Sequence, residues 1–304
     1  MLYQICSQLR ASSPSTTCIT RIPFTPGVGY PDYDYQEVAT LQSSSAQITR
    51  AINPSLHLVA FSRSCYIDVV DWHTQECVSI STQSDDLDEL WNGIVGVRFC
   101  GRHVLCIKTR SVELYALPPL PLSSSASTAP RPATSRTFPN TTFRGVSISH
   151  PHPSPSPSWT ASFLAYDVLR GLFHYRVALP DPSAPRLAVS LAGVHAMTSL
   201  VRSPSVSALA AEIAGRNTGR GFVSACCLGP EGKRGMWIER TRGSTKRSVM
   251  VFSATADEGE AEIDGRAVYE IGSYDLRDDL THCAFSEVTG RIVLGTRSGH
   301  IQVL

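Results

Sequence analysis

Residues 281–304 read THCAFSEVTGRIVLGTRSGHIQVL, and this stretch sets the kind of fold to expect. Thr281-His282-Cys283-Ala284-Phe285-Ser286 is a short apolar run, followed by a turn at Glu287 to Gly290. Arg291-Ile292-Val293-Leu294-Gly295-Thr296 is a second run, and Ser298-Gly299 turns the chain into His300-Ile301-Gln302-Val303-Leu304. Short apolar runs bounded by Gly and Ser read as β-strands. Links of about two to four residues cannot cross over to a parallel neighbour, so the strands form an antiparallel meander.

The same layout recurs upstream. LHLVAFSRSCYIDVVDWHTQECVSI (56–80) predicts strands at about 56–61, 65–71 and 76–80, with Asp71-Trp72-His73-Thr74 as a corner. GIVGVRFCGRHVLCIKTRSVELYALP (93–118) divides at Gly101-Arg102 and Thr109-Arg110, and WTASFLAYDVLRGLFHYRVAL (159–179) at Leu169-Arg170-Gly171. GFVSACCLGPEGKRGMWIERTRGSTKRSVMVFS (221–253) divides at Gly229 to Gly235 and again at Arg242 to Lys246. A lone meander leaves one face uncovered, whereas repeated meanders can pack face to face. The expected fold is therefore all-β, a β-propeller of about five to seven blades, rather than an open sandwich, which needs no such cadence. It is expected over residues 35–304, after a Ser/Thr/Pro-rich segment, 1–34, that forms part of a truncated blade.

Two stretches interrupt the cadence and read as flexible insertions: the Pro/Ser/Ala-rich 118–140 and the SHPHPSPSPS of 149–158. Val206 to Ala214, ended by Gly215, is the one fair helical window. Hydrophobic residues form 42% of the chain, enough for a sizeable core, while charged residues at 17% and a net charge of +1 give no global field. A nucleic acid or membrane partner would need a local patch. No apolar stretch has the length of a membrane span. MLYQICSQLRASSPSTTC lacks the basic start and apolar run of a secretory signal, so the expected location is intracellular, cytoplasm or nucleus. The nine cysteines include no C-x-x-C and no zinc quartet, so reduced, buried thiols are expected, with no metal or cofactor. Asn140-Thr141-Thr142 matches a glycosylation tripeptide that carries no meaning without such a signal.

VVDWHTQECVSI resembles the end of a WD repeat, with the Trp-Asp pair replaced by Asp71-Trp72-His73 and the turn glycine by Gln75. HCAFSEVTGRIVLGTRSGHIQVL is similar to the first three strands of a WD-repeat blade, although the Gly-His dipeptide before each blade is missing. The resemblance implies a WD-repeat-like β-propeller and marks Asp71, Trp72, Gly295 and Gly299 as structural positions of the repeat corners. A narrower likeness is to the C-terminal regions of mushroom (basidiomycete) F-box proteins, carried by LGPEGKRGMWIERTRGSTKRSVMVFS (228–253) and YEIGSYDLRDDLTHCAFSEVTGRIVLGTRSGHIQVL (269–304). In such proteins an N-terminal F-box docks on a ubiquitin ligase adaptor and the repeats present substrate. The first 50 residues here show no Leu-Pro-rich helical F-box, so adaptor docking does not carry over and the recognition half remains. The implied function is a non-catalytic protein-interaction propeller with other proteins as partners.

The basic cluster Lys233, Arg234, Arg240, Arg242, Lys246 and Arg247 supplies a candidate anion or partner contact. On paired hairpins these side chains could line one edge and meet phosphates or acidic peptides, with Trp237 as a stacking surface if exposed. That is the route to a second reading, nucleic-acid or anionic-lipid binding. The competing reading is a pair of charged hairpin tips around a buried Trp. A third reading, a propeller-fold hydrolase, rests on Asp275, Asp278 and Asp279 with Glu270 nearby, against a solvated loop with Arg277 among the acids. Asp85, Asp86, Asp88 and Glu89 read as the first turn of a short helix capped by Ser84 and lack a calcium loop's sixth-position glycine. Gly243-Ser244-Thr245-Lys246 lacks the upstream spacing of a phosphate loop and is a turn. Phe143-Arg144-Gly145 has one arginine where phosphoinositide-binding propellers have two. His174 and His282 read as packed strand residues.

Overall fold

The computed structural model describes residues 2–8, 15–22, 36–43, 47–82, 92–118, 132–138, 140–153, 159–168, 170–179, 187–197, 221–241, 244–254, 261–272, 274, 275, 277 and 279–304. Every regular element among them is a β-strand. The chain divides into two compact units, residues 1–105 with 114–133, and residues 106–113 with 134–304.

In the first unit, β1 (Leu2–Gln8), β2 (Ser15–Ile22) and β3 (Gln36–Ser43) form one antiparallel sheet in sequence order. A second meander runs through β4 (Ile48–Asn53), β5 (Leu58–Arg63), β6 (Tyr66–Asp71) and β7 (Cys77–Ser81). Its central strands are apolar on both faces, so Leu58, Val59, Ala60 and Ile67 are fully enclosed. Val59, Phe61 and Trp72 pack with Ile19 and Leu41. Trp72 is thus a core anchor, and its backbone N–H donates to the His57 carbonyl at 3.0 Å.

The corner before Trp72 forms because Asp71 Oδ1 accepts the backbone N–H groups of His73 (2.8 Å) and Thr74 (3.4 Å), an Asx turn. Gln75, standing where a WD turn has glycine, takes φ +63°. Its side chain donates to the Trp72 carbonyl at 3.2 Å, a bond that offsets part of the strain of a left-handed backbone. Asp71 and Trp72 therefore build this corner together.

β8 (Ile94–Cys100), β9 (His103–Lys108), β10 (Ser111–Ala116) and β11 (Thr134–Thr137) form a further four-stranded sheet. The β9–β10 hairpin, residues 106–113, belongs to the second unit. It encloses Lys108 Nζ against Glu113 Oε1 at 3.2 Å, and Ser111 Oγ donates to the same oxygen at 3.0 Å. Removing the acid would leave a buried ammonium short of its counter-charge.

The rest of the second unit comprises three sheets. The first runs β12 (Phe143–Ile148), β14 (Trp159–Asp167), β15 (Gly171–Leu179), β16 (Ala188–Ala196) and β20 (Ala261–Glu262), with β13 (His152–Pro153) pairing β14. The second is β17 (Gly221–Leu228), β18 (Arg234–Thr241), β19 (Lys246–Ser253) and β21 (Arg266–Gly272); the third is β22 (Leu280–Phe285), β23 (Ile292–Thr296) and β24 (Ile301–Val303). Trp237 is fully buried among Leu164, Leu172, Val223 and Phe252. A Cβ on Gly265 would lie 2.1 Å from the Trp237 ring, so only glycine lets the chain pass there. Met236, Ile238, Val249, Leu280, Ile292 and Leu294 form a second cluster.

The fold is all-β, of the WD-repeat-like β-propeller class: six sheets among the described residues, mostly antiparallel meanders of successive strands, with β20 added in parallel at the edge of β16. The expected strands of 56–80, 93–118, 159–179, 221–253 and 281–304 are all present, within a few residues. What the three-strand cadence misses is the additional strand of several sheets, as in β4, β16 and β21. β21 is an edge strand with little burial, so its sequence carries no strong apolar alternation. β11 and β13 lie inside the stretches 118–140 and 149–158, whose parts 119–131 and 154–158 fall outside the described residues. So do the helical window Val206 to Ala214 and the acidic run Asp85 to Glu89.

Candidate binding cleft

The six cations singled out in the sequence do not form one cluster. β18 starts at Arg234 and ends at Thr241, which at ~3.3 Å per residue separates the sheet's two ends by more than 20 Å. Lys233 and Arg234 lie at one end. Arg240, Lys246 and Arg247 lie at the other, and Arg242 falls outside the described residues.

At the far end the cations are committed. Arg247 is 1% exposed; its Nε donates to Asp279 Oδ1 at 2.8 Å and its Nη1 to the Thr245 carbonyl at 2.6 Å. Lys246 Nζ meets Glu270 Oε2 at 2.9 Å, and this pairing holds the exposed Glu270 carboxyl below, and the Lys246 ammonium above, their ordinary values. Arg240 donates from Nε to the Ser244 carbonyl at 3.0 Å and lies over the Phe222 ring. Trp237 offers no stacking face; its Nε1 donates to Glu239 Oε2 at 2.8 Å, and His195 Nε2 meets the same oxygen at 3.2 Å. Burial pushes the Glu239 carboxyl upward, but the hydrogen bonds from His195 and Trp237 and the His195 charge outweigh it and hold it low. The single edge of cations that phosphate or lipid binding would need is therefore not assembled.

The acids of 270–279 are equally committed. Asp275 takes Arg277 Nη2 at 2.7 Å, which depresses its carboxyl, while Glu270 and Asp279 hold Lys246 and Arg247. Asp278 falls outside the described residues. Each described acid faces its own cation rather than a shared centre, and no group of three potential metal ligands occurs among the described residues. Burial pushes the Cys100 and Cys283 thiols up to about 12, so both stay protonated at neutral pH. Gly299, with φ +88°, makes the expected turn. Gly295 sits inside β23 rather than at a corner; it faces His282 across the bulge in β22, where a Cβ would come within 3.2 Å of the His282 side chain.

The near end opens onto a cleft of about 1180 Å³ within the second unit. Its floor is three adjacent strands at Thr160–Ser162, Tyr175–Ala178 and Ala188–Ala192. Cross-strand pairing places Ser162, Arg176 and Ser190 in one row. The 231–234 turn, Ser253 and Ala254 line it, as do Arg136 and Phe138 at β11. Among the described residues, the charged ones on the lining are Arg136, Arg176, Lys233, Arg234 and Glu231. Lys233 Nζ spans 2.7 Å to that Glu231.

The turn that presents Lys233 and Arg234 is held from both sides. Glu287, in the β22–β23 turn, accepts the backbone N–H groups of Glu231 (2.7 Å), Lys233 (3.0 Å) and Arg234 (2.8 Å). A Cβ on Gly229 would lie 2.4 Å from Glu287 Oε2, so glycine clears the carboxylate's seat. On the other side the Pro230 carbonyl accepts the His150 N–H at 2.7 Å and faces His152 Nε2 at 3.0 Å. Gly232, at φ +71°, passes the Ser162 side chain where a Cβ would be 3.1 Å away. Three convergent backbone N–H groups form a nest for one carboxylate, and Glu287 fills it.

Sequence reasoning picked out Lys233 and Arg234 but missed Arg136, Arg176 and Glu287. Arg136 lies in a stretch that reads as an insertion, Arg176 in an apolar strand, and Glu287 in an ordinary hairpin turn. The Gly229-Pro230-Glu231-Gly232 run was the one local signal of a special turn.

No family model matches the chain, and no curated protein sequence does. Among solved structures, a hydrazine synthase of Kuenenia stuttgartiensis is similar over 96% of this chain and 73% of its own, at 10% identity and TM-score 0.51. The WD40 domain of SCAP from fission yeast matches over 99% of this chain and 72% of its own, at 11% identity and TM-score 0.48. The Cps50 (Swd1) β-propeller domain of Myceliophteria thermophila matches over 84% and 81%, at 14% identity and TM-score 0.41. At such identities the likeness concerns the fold alone and transfers no activity or partner.

Proposed function

We propose that this chain is a non-catalytic protein-interaction module that engages its partner through the arginine-lined cleft of the second unit. The observation that carries this reading is the concentration of Arg136, Arg176, Lys233 and Arg234 in one recess, where Glu231 is the one acid among the described lining residues. At the opposite end of the β18 sheet, by contrast, Lys246, Arg247 and Arg277 hold Glu270, Asp279 and Asp275. The commitment of Glu270, Asp275 and Asp279 to separate cations also favours binding over hydrolysis. No helix among the described residues is long and apolar enough to cross a membrane.

Within this reading, a place as the substrate-recognition part of an F-box-type ubiquitin ligase receptor is supported by the sequence likeness of 228–253 and 269–304, and adaptor docking would require an F-box in cis. The test is quantitative affinity capture with the wild-type chain and an Arg136→Glu/Arg234→Glu variant. Proteins retained by the first and lost by the second support the cleft as the docking site; identical recovery by both sinks it.

A further inference from the structure

We infer that the occupant of this cleft is an extended, carboxylate-rich segment of a partner protein, and that Glu287 is the positioning residue that keeps the cleft in shape to receive it. The inference rests on the interaction reading above and names the chemistry of the partner.

The arginines come from three elements, β11, β15 and the start of β18, and all three stand on the lining of one volume. Guanidinium groups present planar forks that match carboxylates two bonds at a time, unlike the point charge of lysine. The floor adds hydroxyl groups from Ser162 and Ser190, with Ser253 on the lining, all able to donate to an acidic side chain or accept from a peptide N–H. At about 1180 Å³ the recess exceeds the roughly 300–1,000 Å³ typical of small-molecule pockets, which favours a chain segment over a metabolite. Its width crosses three strands, about 10 Å at ~4.8 Å per strand, enough for an extended backbone with side chains to both sides.

The other polyanions fit less well. A single-stranded nucleic acid needs exposed aromatic faces, but Tyr175 is 6% exposed and packs between Phe138 at 5.1 Å and Phe163 at 4.9 Å, ring centre to ring centre. A membrane surface needs cations on a protruding, flat face, whereas Arg136, Arg176 and Arg234 line a recess.

Glu287 acts through the backbone. Its carboxylate binds the three N–H groups of the 231–234 turn, and that turn sets where Lys233 and Arg234 stand. Without it the three donors lose their acceptor and the turn no longer holds the cleft wall in one conformation.

The experiment is a binding titration of the full chain with four probes: an acetylated, amidated octapeptide alternating Glu and Gly, its Gln-for-Glu counterpart, inorganic phosphate, and an oligothymidylate. The Glu peptide should bind, weaken steeply with added salt, and lose about tenfold or more in affinity in Arg136→Gln or Arg234→Gln, each removing one charge-assisted fork. Both arginines are exposed, and an unchanged melting curve confirms that each variant is folded. Glu287→Ala should lose affinity and also lose amide protection at Glu231, Lys233 and Arg234. Lost affinity with protection intact would overturn the positioning role. Equal binding of the Glu and Gln peptides, tighter binding of phosphate alone, or oligothymidylate binding abolished by the same arginine changes would overturn the carboxylate assignment. If none of the probes binds, yet affinity capture still depends on Arg136 and Arg234, the partner class is wrong while the interaction reading stands. If capture too is indifferent to those arginines, both fall.

Discussion

The two ends of the β17–β18–β19–β21 sheet begin from the same chemistry and arrive at opposite states. At the 240–247 end, Arg247, Lys246 and Arg240 each close on a local acceptor, and Arg247 is buried doing so. At the 229–234 end, Glu287 takes backbone N–H groups, and Lys233 and Arg234 stand on the lining of the cleft. A basic residue in a hairpin tip is therefore uninformative by itself. Whether it serves the fold or a ligand depends on what the neighbouring sheet offers it.

The contrast can be broken most severely at the committed end. Asp279→Ala leaves the Arg247 guanidinium buried without its carboxylate and is expected to cost about 3 kcal/mol in urea unfolding. A loss below about 0.5 kcal/mol would mean that this end is no more committed than the other.

The open end carries a latent charge. His174, 3% exposed and in the strand that supplies Arg176, has its imidazole pushed down from 6.5 to about 4, by burial first and by Arg176 second. Because the unfolded chain takes up that proton first, the folded state is fully favoured above pH 6.5 and loses ground as pH falls from 6.5 towards 4. Across that pH window the lost stability accumulates at about 1.4 kcal/mol per pH unit, so the whole effect is on the order of 3 kcal/mol. Subtracting the stability–pH curve of His174→Leu from that of the wild type should isolate this slope, and parallel curves would refute it.

A smaller effect is expected at Glu287. Replacing it with Ala removes a charged acceptor of three hydrogen bonds, about 2 kcal/mol, with the midpoint of thermal unfolding as readout. The smallest belongs to Lys246→Gln. Its Glu270 partner is solvent-exposed, so the urea midpoint should not move measurably, and a clear drop would show that the exposed pair matters more than its geometry implies.

Much of the fold is legible in the sequence because central strands are buried on both faces and bounded by turns with few alternatives. Leu58 to Phe61 is nearly continuous apolar burial, and Gly101, Gly290 and Gly299 sit at φ values that favour glycine. Edge strands are harder: Arg266 to Gly272 is mostly exposed and leaves a faint trace. The cleft was harder still. Arg136 and Arg176 lie 40 residues apart in sequence, and Glu287 is more than 50 residues from the N–H groups it binds, so no local pattern joins them. Trp237 shows the reverse limit. Its residue type left both burial and stacking open, and the Glu239 carboxylate under its N–H decided for burial.

The interleaving of the two compact units has a practical side. Residues 106–113 count with the second unit, while 114–133 return to the first. A fragment starting at residue 134 would lack a hairpin that carries the enclosed Lys108–Glu113 pair, and a fragment ending at 133 would keep that hairpin without the rest of its unit. No single cut yields two whole halves, so dissection of this chain calls for two-piece co-expression or a permuted order rather than truncation.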